Sequence, residues 1–129
     1  MYRLQPDPIH NPAVVKTLLA HDGRALYFSR SAIPHVRDVA PKEWHQHTPY
    51  WGHVGMYGFR GDVLAAWDQL PASPLEDLER LEQLRLIEAG HTIATFTVEG
   101  TSLSVDTAEQ LDQARQIAAE ESKADFGAR

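Results

Sequence analysis

Cysteine is missing from all 129 residues of this chain. Disulfide staples, zinc–thiolate centres and thiol nucleophiles are thereby excluded, so burial and hydrogen bonds must hold the fold. Long apolar runs are missing too. Nothing approaches the roughly 18–20 residues that a membrane-spanning helix needs, so no membrane segment is expected. Positive charge is scarce, with 12 Lys and Arg against 18 Asp and Glu and a formal net charge of −6. That balance argues against non-specific binding to nucleic acid or to an anionic bilayer. An anionic ligand would have to be held by a few local arginines against the overall field. The opening MYRLQPDPIHNP has neither the basic nor the apolar region of a secretory signal, so a cytoplasmic protein is expected. The sequence also has no phosphate-cradling glycine-rich loop, no lysine-bearing P-loop and no nucleophile elbow.

What is present is ordinary globular material, 43% hydrophobic and 23% charged. It suits one domain, residues 1–129, with a modest core. AVVKTLLA (Ala13 to Ala20) reads as a buried strand, HDG as a turn and RALYFSR (Arg24 to Arg30) as the second arm of a hairpin. Ser31 to Tyr50 is long, proline-punctuated and histidine-rich, and reads as a loop or an excursion from the sheet. WGHVGMYGFRG (Trp51 to Gly61) is strand-like, and its glycines suggest close backbone approach. Asp62 is placed to cap a short helix, DVLAAWDQL, which PASP ends. Ser73 to Gly90 predicts a single helix, with Ser73 as N-cap, Pro74 at N1, Glu76 at N3 and Gly90 as C-cap. HTIATFTVE (His91 to Glu99) alternates as the clearest strand. TAEQLDQARQIAAEE predicts a last helix before a frayed tail, ESKADFGAR. The order of elements is α/β, though the array is too small to cover both faces of a sheet by itself.

Several residues could carry chemistry. Within a single helix over 73–90, Glu82 falls on the same face as Leu75, Leu78 and Leu86. A carboxylate there needs a partner, either an arginine such as Arg85 in a buried ion pair or a ligand. Asp106 precedes the last helix and fits two roles, a capping box with Glu109 or a metal carboxylate at the end of a sheet, where magnesium would suit it. His45 and His47 form only an HQH pair and read as loop histidines. On a strand, His53, Gly55, Tyr57 and Phe59 share one face; they fit ordinary strand packing or a hydroxyl-binding surface beside glycine. Arg30, where a strand meets a loop, is either solvated or a carboxylate clamp.

Four collinear stretches resemble the C-terminal half of the CMP-Kdo synthetases, the 3-deoxy-manno-octulosonate cytidylyltransferases. They are NPAVVKTLLAHDGRALYFSRSAIPHVRD, HVGMYGFRGDVLAAW, SPLEDLERLEQLRLIEAG and VEGTSLSVDTAEQLDQAR, covering most of residues 11–116 and leaving 117–129 as a tail. The resemblance implies a partial Rossmann-like α/β nucleotidyltransferase fold with a mixed sheet. It implies an enzyme that joins CTP to the sugar acid Kdo, releasing pyrophosphate and making CMP-Kdo for lipopolysaccharide. It further implies magnesium and a homodimer. By motif, Arg30 would contact the sugar acid, His53 and Tyr57 would line its pocket, Glu82 and Gln83 would bind its hydroxyls, and Asp106 would be a magnesium ligand.

The family's nucleotide-binding segments, R-x-x-S-T-R-L-P-x-K and Q-G-D-E-P, do not occur in this sequence. The resemblance therefore implies a chain that is inactive alone, with an incomplete metal site, and that meets CTP only if the other half is supplied. Two alternatives accompany it: a non-enzymatic sugar-acid-binding or dimerisation module that pairs with another chain, and a truncated relic.

Overall fold

A computed structural model describes residues 1–99, 105 and 108–127, with only the backbone described at 109, 113 and 120–127. Asp106, the proposed metal carboxylate, lies outside the described residues, as does most of the loop before the last helix.

The hairpin forms as expected. β2 (Lys16–Leu19) pairs antiparallel with β3 (Ala25–Ser29), Lys16 facing Ser29 and Thr17 facing Phe28, with a bulge between Leu18 and Leu19. Gly23 closes the turn at φ 83°, a left-handed conformation that glycine adopts without steric cost, and Asp22 Oδ1 accepts from the Arg24 N–H. β1 (Tyr2–Arg3) and β4 (Trp51–Gly52) complete a sheet of order β1-β4-β2-β3, each of these pairings antiparallel.

Of the four glycines between Trp51 and Gly61, Gly52 alone has the close approach expected of them. A Cβ there would lie 2.5 Å from the Tyr2 ring, whereas Gly55, Gly58 and Gly61 have nothing within 4 Å. The strand stops at Gly52 instead of running to Gly61. Beyond it the chain is irregular until α1 (Gly61–Ala65), a single turn followed by a 3₁₀ turn at Trp67–Gln69. Asp62 is not the cap; Arg60 precedes the helix, and the Asp62 carboxylate accepts from its guanidinium.

The single helix expected over 73–90 is two. α2 (Pro74–Glu79) and α3 (Gln83–Glu88) are separated by Arg80, at φ 55° and ψ 51°. The start is as predicted, with Ser73 Oγ accepting from the Glu76 N–H. The end is too, since Gly90 at φ 83° closes a Schellman arrangement in which Gly90 N–H reaches Ile87 O and His91 N–H reaches Leu86 O. The Glu76 side chain, however, does not return to the cap but pairs with Arg85, Oε2 to Nε at 2.5 Å. The break turns Leu81 inward and leaves Leu78 80% exposed.

HTIATFTVE follows the edge of the hairpin without becoming a strand. Its ladder is one bridge, Ala94 to Arg24, flanked by bonds such as Ala25 N–H to Ile93 O at 2.8 Å. α4 (Ala108–Gly127) continues through most of the segment expected to fray.

Two apolar clusters form. One joins Tyr2, Leu4, Ile9, Trp44 and Tyr50, which draws the long 31–50 segment against the sheet through the 3₁₀ turn Pro41–Gln46. The other joins Ala25, Phe28, Leu81 and Leu84, packing α3 onto β3. Among the described residues, no helix is long and apolar enough to cross a membrane.

Candidate functional site

Of the six residues to which the resemblance assigns a role, Glu82 and Gln83 lie where α2 ends and α3 begins, Arg30 bonds to carbonyls of that stretch, and His53 pairs with Tyr57, which feels the Glu82 charge. Arg30 leaves the end of β3 and spreads its guanidinium over backbone carbonyls: Nε donates to Glu79 O at 2.8 Å, Nη1 to Pro12 O at 3.2 Å and Nη2 to Arg80 O at 3.5 Å. A helix break leaves carbonyls without intrahelical partners, and a cation at a helix C-terminus is also favoured by the helix dipole. Arg30 therefore stabilises the break, and the left-handed Arg80 is held by tertiary contacts, not by local preference. Three of its five N–H donors are engaged and two remain.

His53 follows β4, its backbone N–H bonded to Val15 O at 2.9 Å. Its ring meets Phe28 edge-on with centroids 5.1 Å apart, and Phe28 packs with Leu81 and Leu84 on either side of Glu82 and Gln83. Nε2 shares a 2.7 Å hydrogen bond with the Tyr57 hydroxyl. Burial, and secondarily the N-terminal ammonium, hold the imidazole pKa down to about 4. Burial, and secondarily the Glu82 charge, hold the Tyr57 hydroxyl well above its ordinary value. At neutral pH the pair is thus a neutral imidazole and a protonated phenol. Neither is poised to exchange protons near pH 7, so the pair suits binding and orientation better than acid–base work. Tyr57 stacks on Phe59, centroids 5.9 Å apart, and Phe59 meets Trp67 edge-on at 5.6 Å.

Glu82 is exposed, contrary to its expected place in a leucine stripe, because the break at Arg80 takes it off that face. Arg85 is paired with Glu76 instead. Gln83 is the buried one, 5% exposed. Its Nε2 and His53 Nδ1 are the two buried side-chain polar atoms without a hydrogen-bond partner among the described residues. Leaving such an atom unpaired costs about 1–3 kcal/mol, so each would gain from a hydrogen-bond partner, although both are closed to solvent in this conformation.

Sequence reasoning missed two charged groups. Lys16 is fully buried inside the apolar AVVKTLLA, and its ammonium donates to Asn11 O, Val14 O and Arg30 O. Burial lowers its pKa to about 8, with Glu79 opposing and Arg30 reinforcing the shift. The Glu79 carboxylate accepts from the Ser29 hydroxyl at 2.5 Å and from the Arg30 N–H at 2.9 Å. The signal for Lys16 was visible: a lone charge in a β-branched run asks the question that was put to Glu82. Glu79 had no such signal.

Among the described residues, no group of three or more His, Asp or Glu side chains is placed to hold a metal ion. His45 and His47 sit at the end of the 3₁₀ turn Pro41–Gln46, away from His53 in sequence and without such a cluster.

With this geometry in place, the comparisons with known proteins are direct. Residues 5–93 match the cytidylyltransferase family model, and the chain belongs to that family. Within it, the chain resembles the 3-deoxy-manno-octulosonate cytidylyltransferases. It is 46% identical to the one from Elusimicrobium minutum over 85% of this chain and 44% of the relative. It is 43% identical to the one from Chlorobaculum tepidum over 91% of this chain and 46% of the relative. A solved structure of CMP:2-keto-3-deoxy-manno-octonic acid synthetase complexed with CTP superposes with a TM-score of 0.82 at 40% identity, over 93% of this chain and 47% of that one. The fold is accordingly the mixed α/β nucleotidyltransferase fold. The chain spans less than half the length of the relatives it matches.

Proposed function

We propose that this chain forms the sugar-acid side of a cytidylyltransferase site that couples Kdo to CTP. The observation that carries the reading is the pair of unpartnered buried atoms, His53 Nδ1 and Gln83 Nε2, in the two segments that the family resemblance assigns to the sugar pocket. Around them, Tyr57 and the exposed Glu82 carboxylate offer a hydroxyl and an acceptor for sugar hydroxyls, and the two unused N–H groups of Arg30 suit a carboxylate. In the coupling, the anomeric hydroxyl oxygen would form a bond to the α-phosphorus of CTP, and the bond to the departing pyrophosphate would break. This chain's residues would orient the sugar for that displacement, which is catalysis by positioning.

Magnesium, when bound, would neutralise phosphate charge. Asp106 would be one ligand, with further carboxylates supplied from outside the described residues. The triphosphate would be held by segments of the R-x-x-S-T-R-L-P-x-K and Q-G-D-E-P kind, which this sequence does not contain. Activity would therefore need those segments to be supplied together with this chain, and a second copy of these residues would serve as a dimer partner only.

The test is CMP-Kdo formation by the purified chain, alone and mixed with a separately expressed polypeptide bearing those two segments and magnesium. Product only in the mixture supports the proposal. Product from the chain alone would show that CTP is bound by residues not assigned here. Absence of product in both, with Kdo still bound, would make the chain a sugar-acid-binding module instead.

A further inference from the structure

Arg30 reaches its carbonyl partners from a backbone that is gripped on both sides. Its N–H donates to Glu79 Oε2 at 2.9 Å, and the preceding Ser29 hydroxyl donates to Oε1 of the same carboxylate at 2.5 Å. Ser29 Oγ in turn accepts from the Ser31 N–H at 3.0 Å, which fixes the exit of the chain from β3. On the other side, the Arg30 carbonyl accepts from the buried Lys16 ammonium. Glu79 thus touches Arg30 twice, since its carboxylate holds the Arg30 backbone and its own carbonyl takes the guanidinium Nε–H.

A carboxylate that accepts two hydrogen bonds next to an arginine is an expensive way to fasten a strand end. Desolvating it costs more than an apolar contact would, while the geometry it imposes on Arg30 is specific. The carboxylate takes the Arg30 backbone N–H and not the guanidinium, so it leaves the two unused guanidinium N–H groups to another anion.

We propose that Glu79 is a positioning residue that aims the Arg30 guanidinium at the carboxylate of the sugar acid. The proposal rests on Arg30 as the sugar-acid contact, and it assigns Glu79 a share in selecting acids over neutral sugars. Glu79 does not touch the ligand.

The experiment is calorimetric titration of the full chain with Kdo and with Kdo methyl ester, which keeps the hydroxyls and removes the charge. Parent, Arg30→Ala, Glu79→Gln and Ser29→Ala chains are compared, each checked for folding by its circular-dichroism melt. A charge-assisted hydrogen bond contributes about 1.5–3 kcal/mol, so the parent should prefer the acid by roughly tenfold or more. Arg30→Ala should abolish that preference. Glu79→Gln should reduce it several-fold while leaving affinity for the ester unchanged, and Ser29→Ala should do the same more weakly.

If Glu79→Gln and Ser29→Ala keep the parent's preference, the positioning role is wrong and the Arg30 reading survives. If they weaken acid and ester equally, Glu79 is merely structural and the proposal is again overturned. If Arg30→Ala keeps the preference, or the parent shows none, the reading of Arg30 itself fails and the proposal falls with it. Should Glu79→Gln not fold, Ser29→Ala decides, because it loosens the same clamp and leaves the carboxylate in place.

Discussion

Replacing Gln83 by Met should make the free protein more stable and the liganded one weaker. Gln83 is 5% exposed, and its Nε2 has no hydrogen-bond partner among the described residues. A buried polar atom in that state costs about 1–3 kcal/mol. Met has nearly the same length and helix propensity, so the substitution at the first position of α3 removes the penalty without opening a cavity. The expected gain is about 1–2 kcal/mol, or roughly 3–8 °C in melting temperature for a chain of this size. If the amide binds a sugar hydroxyl, the same variant loses one hydrogen bond to Kdo, a drop of about tenfold in affinity. Thermal unfolding by circular dichroism and Kdo calorimetry on the same samples measure both. A lower melting temperature would show that the amide already has a partner in the free chain. Unchanged Kdo affinity would show that it does not serve the ligand.

Other outcomes follow from single contacts. Leu84→Ala should cost about 2–5 kcal/mol because Leu84 is fully buried. Leu78→Ala should cost almost nothing at 80% exposure, whereas a continuous helix with Leu78 in its core stripe would make the two costs alike. Gly52→Ala should destabilise by about 1–3 kcal/mol, since its Cβ would lie 2.5 Å from the Tyr2 ring and 2.9 Å from Leu4 Cδ2. Gly55→Ala, with nothing within 4 Å, should be neutral, and urea titration of each variant measures these differences. For His53, the folded pKa of about 4 lies below the ordinary histidine value of 6.5. The unfolded chain therefore takes up the proton first as pH falls. The contribution is fully present above pH 6.5 and is lost on acidification toward pH 4, at most about 3 kcal/mol. His53→Gln should flatten the pH dependence of the urea midpoint across that window, and an unchanged slope would refute the buried neutral imidazole.

Local chemistry explains which features were legible beforehand. The KTLL–HDG–ALYFS hairpin, the Ser73 cap and the Gly90 closure each depend on residues adjacent in sequence, and each was read correctly. The break at Arg80 was not legible, because no glycine or proline marks it. It exists because Arg30, fifty residues earlier in the chain, takes the freed carbonyls and because Leu81 belongs in the Phe28 cluster. Missing that break put Glu82 on the wrong face and hid Gln83. The alternation of HTIATFTVE was a true pattern without enough of a partner, and its pairing is one bridge to Arg24 with scattered backbone bonds to Gly23, Ala25 and Met1. Among the candidate residues, all of which the family resemblance named, the fold sets Arg30, Glu82 and Gln83 at the break and pairs His53 with Tyr57. Periodicity alone had chosen Glu82 for a reason that the structure overturns.

The central claim is that this chain carries a sugar-acid pocket around His53 and Gln83, and one titration tests it most directly. Kdo is titrated calorimetrically into the parent chain and into His53→Ala, with no CTP and no magnesium present. Saturable one-site binding by the parent, weakened about tenfold or more in His53→Ala while the melting curve stays cooperative, is the predicted result. Equal binding by the two chains, or no binding by a folded parent, would contradict the account.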